Sequence, residues 1–426
     1  STTGQSLPTR AVVAAFEHAH QKILLDRPPS PYPRRAVDMR ATGGFLQPPG
    51  RRGVQMTADP IAGQAVVSRL DRQQDLLVRV FDGGHVGPGR QGAGIAIESE
   101  SAGMSGGAPF PATDQPGFVH SALFYRTRHE CLDFVGRFVA DGLARDEAVL
   151  VAMRGDELAE LWDALGDSGG GLPPELRMAD VAEVGRNPSR FTATEGSFVD
   201  EYPDRRVRIV SQLAWPGRRG DELVSCVEHE ALANAALDGY PATKLCLYDE
   251  TGLNDEILAD ARATHPVLWA GGGLRPSAEY APDAVLDRCN QPLEADPGAA
   301  TYLVKESADL RPARSFAVDY GGWAGMSEDA IDDLQLVATE LATNSLMYTD
   351  GACRLAFWRR DEHLVCEARD TGRLDDPLVG RLDPGPAGAA SRGLYLVNAI
   401  SDLVRTHTTS AGTTIQAYLR IDPSDD

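Results

Sequence analysis

The sequence predicts an α/β protein made of two successive domains behind a partly disordered N-terminal extension. Three observations carry this. From His120 onward, segments of helical period alternate with short, purely apolar runs, the pattern of a parallel sheet covered by helices on both faces. From about Thr301 the order changes to two helices, two strands, a helix and two strands. Between them lies "GGGLRPSAEYAPDAVLDRCNQPLEADPGAA", whose Gly, Pro and Asp content marks a boundary. A chain of 426 residues also exceeds one ordinary core. The expected limits are residues 1–116 for the extension, 117–285 for the first domain, 286–304 for a linker and 305–422 for the last domain.

In chain order, the extension offers one plausible helix, "TRAVVAAFEHAHQKILL", and then Pro, Gly and Arg-rich text such as "DRPPSPYPRR", with little to bury. The stretch from Met104, "MSGGAPFPATDQPGF", itself reads like the start of a protein, so residues 1–103 are expected to be an extension or a small accessory module. The first domain alternates the helix-like "ECLDFVGRFVADGLARD", "GDELAELWDAL" and "DELVSCVEHEALANAAL" with the strand-like "EAVLVAM", "RRVRIVS" and "TKLCLYD". A ligand in such a fold sits at the C-terminal ends of the strands. The turn "VAMRGDELAEL" lacks the Gly run and Lys-Ser/Thr of a phosphate loop, which counts against nucleotide hydrolysis there.

Charge and cysteine usage narrow the function classes. A formal net charge of -21 repels polyanions, which argues against nucleic acid and anionic membranes as partners and fits basic or neutral proteins better. Six scattered cysteines without a CxxC point to neither a disulfide framework nor a zinc site, and read as small buried residues in a reducing compartment. No apolar run reaches the roughly 18 residues of a membrane helix, and no signal-peptide pattern opens the chain, so a cytoplasmic location is expected. Only three lysines occur, Lys22, Lys244 and Lys305, which limits where a catalytic lysine could be.

The last domain carries the chemistry. A helix from Leu310 to about Tyr320 precedes a long helix from the N-cap Ser327 to Met347, whose acidic first turn suits a helix N-terminus. On that helix Glu340 and Asn344 are one turn apart and project from one face. A carboxylate can orient or deprotonate an attacking hydroxyl, and an amide oxygen can ligate magnesium. The bland alternative is a solvated polar pair on a helix edge. Downstream, the strand "HLVCEARD" runs from Asp370 into Gly372, placing a carboxylate able to accept from an adenine amino group beside a residue that lets a flat ring approach. A Gly/Pro-rich loop of lid-like length leads to Arg392 and Gly393 at a helix start, where free N–H groups favour phosphate. Gly412, Thr413 and Thr414 open the last strand with hydroxyls that could reinforce a base pocket.

That order of E-x-x-x-N, D-x-G, mobile loop, R-G and G-T-T resembles the GHKL (Bergerat, HATPase) fold of gyrases, chaperones, histidine kinases and mismatch-repair proteins, and most closely its anti-sigma-factor serine/threonine kinase branch. The resemblance covers roughly residues 305–422 and implies a two-layer α/β sandwich binding ATP and magnesium. It implies Glu340 as base, Asn344 as magnesium ligand, Asp370 and Gly372 at adenine, and Arg392, Gly393 and Thr413 or Thr414 around the phosphates and base. Two departures are visible: Leu374 stands at the second glycine of the usual D-x-G-x-G, and Tyr348 replaces a common His. A Pro/Gly-rich linker, in place of a dimerising hairpin with an acceptor His, points to phosphorylation of another protein rather than histidine autophosphorylation.

The first domain, through "HSALFY", "GRNPSRF", "AWPGRRGDELVSCVEHEALAN", "CLYDE" and "THPVLW", resembles the methanogen/methylotroph (MEDS) sensory domain of a dichloromethane-metabolism regulator. The pairing of the two resembles actinobacterial regulators of stress sigma factors. It implies a sigma factor and an antagonist protein as partners, an unknown small-molecule or protein signal at the sensory domain, and two-fold association through the last domain. A non-catalytic anti-sigma binding module, or a ligand sensor with a degenerate ATP site, is the alternative. Arg311 and Arg314 are candidates for the sigma contact, with solvated surface arginines as the ordinary reading. Trp215, Asn187, His229, Tyr248, Asp249 and His265 could line a sensory pocket or simply cap and pack. Glu228, His229 and Glu230 are helix neighbours and cannot converge on one ion, so a hydrogen-bonded His229 is expected.

Overall fold

The structure is a computed structural model that describes residues 117–166, 173–385 and 392–421. The expected N-terminal extension and its helix, the start at Met104 and the end of the lid-like loop lie outside the described residues. The chain divides into two compact units between Cys289 and Asn290.

The first unit is a seven-stranded sheet of order β3-β2-β4-β5-β1-β6-β7, comprising β1 (Val119–Tyr125), β2 (Ala148–Met153), β3 (Leu176–Asp180), β4 (Val207–Ser211), β5 (Ala242–Asp249), β6 (Val267–Ala270) and β7 (Gly273–Pro276). All neighbours are parallel except β6 and β7, which form a hairpin. Every residue of β2 and β4 is buried, which is why β2 reads as an unbroken apolar run instead of alternating, while Arg208 of β4 is buried with its guanidinium paired to Glu147 and Asp141. On one face α1 (Arg128–Ala144) and α2 (Gly155–Gly166) enclose Leu123, Tyr125, Val149, Val151, Leu245 and Leu247. On the other, α5 (Gly220–Ala236), α6 (Asp255–Thr264) and α7 (Pro282–Cys289) pack over Ala122, Cys246 and Tyr248. Between β3 and β4 come the short α3 (Val181–Val184) and α4 (Pro188–Glu201). Helix starts are set by side chains accepting from free N–H groups: Thr127 from Glu130, Asn187 from Ser189 with Pro188 at the first position, and Asn254 from Ile257. Each such cap contributes about 1 kcal/mol.

The second unit is an antiparallel sheet of order β11-β12-β10-β9-β8, formed by β8 (Ala300–Val304), β9 (Cys353–Arg360), β10 (His363–Asp370), β11 (Leu403–Thr409) and β12 (Gly412–Arg420). On one face lie α8 (Leu310–Trp323) and α9 (Glu328–Tyr348), capped by Ser327, with α10 (Arg392–Ile400). Their core joins Val337, Leu341 and Val397 to Leu355, Phe357, Leu364, Cys366 and Ala417, giving the expected two-layer arrangement. The joint differs from the expected linker. Residues 286–289 finish α7, and Ala300–Val304 form a strand of the second sheet, with Val304 fully buried. Between them Asn290 bonds to His407 and Thr408 of β11, Glu294 accepts from Gln416 of β12, and Ala295 and Ala299 pack on Trp358, Val365 and Tyr418. Residues 290–299 are thus a strap across the sheet face that the helices leave open.

Candidate functional site

In the second unit the candidate residues converge at one end of the helix-covered face. Glu340 and Asn344 face the first turn of α10: a β-carbon at Gly393 would lie 2.6 Å from Glu340 Oε2 and 3.1–3.2 Å from both polar atoms of the Asn344 amide. Only glycine lets the α10 backbone come this near the pair. Burial pushes the Glu340 carboxyl up from its ordinary value, while the charge of Arg314 pulls it down. Arg314 therefore belongs to this site through its charge, and its buried Nε has no hydrogen-bond partner among the described residues. Arg311, by contrast, is exposed.

The other part of the cluster is built around Asp370. Its Oδ2 accepts from Ser345 Oγ at 2.6 Å and its Oδ1 from the Gly372 N–H at 2.9 Å, so the carboxylate is fixed from α9 and from its own turn. Ser345, next to Asn344, is a site residue that the E-x-x-x-N pattern did not include. Only the Asp370 partner across the fold gives it a role. A β-carbon at Gly372 would lie 2.5 Å from Thr349 Cγ2, so glycine is required there for space. Thr413 stands opposite Asp370 in the β10–β12 register and donates from Oγ1 to the Gly372 carbonyl at 2.8 Å. Thr408 shares a hydroxyl contact of 2.8 Å with Thr413 and accepts from the Leu374 N–H at 3.0 Å. Leu374 has no positive φ, so the second glycine of the usual motif is not needed here for backbone conformation.

One expected residue is corrected. Ile415, Ala417 and Leu419 of β12 face the helices, while Tyr418 belongs to the opposite core. Alternation along the strand puts Thr413 with the former and Thr414, paired with Arg369, on the far side of the sheet from the site. Tyr348 ends α9 and is 46% exposed. The described part of the loop after β10 is anchored on α10: Asn398 donates to the Gly380 carbonyl at 3.0 Å, and Gly380, at φ +78°, abuts Leu394.

The residues present fit a magnesium nucleotide. The donors Asn344 Nδ2 and Arg392 Nε are buried without partners among the described residues and suit phosphate oxygens. The Asn344 Oδ1 oxygen is of the type that ligates magnesium, and the Asp370 carboxylate is fixed beside the Gly372 turn.

In the first unit the expected pocket residues separate. Asn187 caps α4, Asp249 caps the turn to Gly252, and Trp215 packs under the Arg218 guanidinium at 4.2 Å. Tyr248, His229 and His265 face a buried polar layer between the sheet and α4–α6, together with His120, Glu195, Glu230 and Lys244. Lys244 Nζ donates to His229 Nε2 at 2.9 Å and pairs with Glu195 at 2.9 Å and Glu230 at 3.3 Å. His229 Nδ1 lies 3.1 Å from the Pro188 carbonyl, so it is the hydrogen-bonded helix histidine expected. Glu228 is not part of the layer.

Comparison with known families agrees with this division. Residues 119–266 match the family model MEDS, the methanogen/methylotroph, DcmR sensory domain, and residues 303–419 match the histidine kinase-like ATPase domain. No curated protein matches the chain. The protein is thus a fusion of a sensory module with an ATPase-type module. In particular, it joins a MEDS domain to a histidine kinase-like ATPase domain. No helix among the described residues is long and apolar enough to cross a membrane.

Proposed function

We propose that this chain regulates a sigma factor by partner switching, binding Mg·ATP in its second unit and phosphorylating a serine or threonine of an antagonist protein in response to a signal at its sensory unit. The observation that carries the reading is the packing of Gly393, at the start of α10, directly on Glu340 and Asn344. Asn344 would hold the magnesium, Asp370 and Thr413 the base, and Arg392 with the α10 N-terminus the phosphates. The bound nucleotide supplies the transferable phosphoryl group, and its metal neutralises charge on the phosphate oxygens. Glu340 orients the incoming hydroxyl and takes its proton, a task suited to a carboxyl whose pKa burial has raised. Arg314 and Arg392 place positive charge near the site.

The deciding experiment is calorimetric titration of Mg·ATP into the wild type and Asn344→Ala, followed by phosphate transfer to candidate antagonists. Saturable binding lost in the variant supports the reading, and absence of wild-type binding at millimolar ATP overturns it. Glu340→Gln should keep nucleotide binding while transfer falls by roughly 10²–10⁴-fold. The alternative, a non-catalytic anti-sigma module, is motivated by Leu374 at the second glycine position. Nucleotide binding and sigma binding with no transfer to any antagonist would favour it.

A further inference from the structure

Four donor atoms from four separate places meet inside the first unit: His120 of β1, Glu230 of α5, Cys246 of β5 and His265 just after α6. Their ligand atoms all lie within 4.8 Å of one another, and all four residues are buried. The tautomers follow from the outer partners. His265 Nδ1 lies 2.7 Å from the Ala261 carbonyl and so carries the proton, which leaves the Nε2 lone pair facing inward. That atom is fully buried, has no hydrogen-bond partner among the described residues, and sits 3.7 Å from Glu230 Oε2. Asn234 donates from Nδ2 to the Thr264 carbonyl at 3.0 Å, which turns its Oδ1 toward His120 Nδ1 at 3.3 Å. His120 Nε2 therefore also presents a lone pair, 3.1 Å from Glu230 Oε2 and 3.3 Å from Cys246 Sγ.

Acceptors are thus crowded against acceptors. The Cys246 thiol brings one proton, directed at Glu230 Oε2 over 3.2 Å, and Lys244 Nζ reaches the same oxygen. Neither serves His265 Nε2. Leaving a buried acceptor unsatisfied is costly, so the arrangement calls for a shared electrophile. The separations are near the size one needs. Bonds of about 2.0–2.3 Å to a tetrahedral ion require ligand-to-ligand edges of roughly 3.3–3.8 Å; four of the six edges run from 3.1 to 3.7 Å, and the two from His265 to His120 and to Cys246 stay within 4.8 Å.

We propose that His120, Glu230, Cys246 and His265 bind a divalent transition-metal ion of the zinc class within the sensory unit. Two imidazoles, a thiolate and a carboxylate suit zinc or ferrous iron, and are poor ligands for magnesium or calcium. The Asn234 amide and the Ala261 carbonyl are the outer partners that orient metal-bound histidines. The Cys246 thiol gives up its proton to solvent as the ion enters. The layer then balances: the two charges of the ion and that of Lys244 meet Glu195, Glu230 and the Cys246 thiolate. Beside Glu230, a cavity of about 10 Å³ bordered by Tyr248, Ala261 and Thr264 has room for one water-sized molecule. This inference concerns the first unit alone and is independent of the nucleotide reading.

The full chain, stripped with chelator and returned to zinc or cobalt(II), tests it. About one ion per chain is expected, with a near-ultraviolet thiolate-to-cobalt charge-transfer band. Cys246→Ser should abolish the band, whereas Cys289→Ser, which alters a half-exposed cysteine outside the cluster, should keep it. Asn234→Ala, which removes an outer partner and no ligand, should weaken zinc binding roughly 10- to 100-fold. Failure of the folded wild type to take up a stoichiometric ion overturns the proposal, as does zinc affinity unchanged in both Cys246→Ser and His265→Gln.

Discussion

At the scale of single residues, the site depends on groups whose partners are far away in sequence. Ser345 Oγ donates to Asp370 Oδ2 across 25 positions, and Ser345→Ala should cost about 1.5 kcal/mol, the lower end for a bond to a carboxylate because Asp370 is half-exposed. Mg·ATP affinity should fall with it; unchanged affinity in a titration would mean that Gly372 alone suffices to orient the carboxylate. Glu157 of α2 makes the pH argument. Burial raises its pKa, a Gln212 hydrogen bond opposes this, and Oε2 has no partner among the described residues. The folded state therefore holds the proton to higher pH than the unfolded chain does. Stability contributed by the protonated form is present below the ordinary carboxyl range and declines as pH rises through the folded value. Glu157→Gln should raise the melting temperature at pH 7 and flatten the decline above pH 5. Melting curves of both proteins between pH 4 and 8 check this, and a parallel decline in the variant would assign the slope elsewhere.

At the scale of elements, the contact between α9 and α10 decides whether the site exists. A methyl group at Gly393 would drive into Glu340, and overpacking of this kind costs about 1–3 kcal/mol. Gly393→Ala should therefore weaken Mg·ATP binding roughly 5- to 150-fold while the fold persists, as read by calorimetry beside far-ultraviolet circular dichroism. Full binding in this variant would mean that α10 can withdraw without loss. The facing pair was legible because helical periodicity is local: Ser327, Glu340 and Asn344 lie on one continuous element. Thr413 could not be told from Thr414, because which of two strand neighbours faces the helices depends on register with β10. Strands β3, β6 and β7 are too short to declare a period, and β8 was hidden between Pro/Gly-rich text and a helix. The metal-type cluster was the least legible part. His120 and Glu230 are 110 residues apart, and a parallel sheet brings them together only after two layers have closed.

At the scale of the whole molecule, the division between Cys289 and Asn290 says how the chain can be cut. A fragment beginning at residue 290 keeps the strap and β8, whereas one beginning at 305 loses the Asn290 bonds, the Gln416 contact and the buried Val304. The longer fragment should unfold cooperatively at the higher temperature and the shorter one should be markedly less stable. Equal melting temperatures would show that the strap contributes little. The strap also starts a hydrogen-bonded series from Asn290 through Thr408 to Thr413 and on to Gly372, so its loss should also lower nucleotide affinity.

Lys244 has a practical consequence for labelling chemistry. It is one of only three lysines in the chain, it is fully buried, and Lys305 is exposed. An amine-acylating reagent should mark Lys305 within its ordinary reaction time and reach Lys244 only when the sensory layer opens. The rate at which that one amine is consumed, read by peptide mass spectrometry, is then a built-in clock for the opening of the first unit.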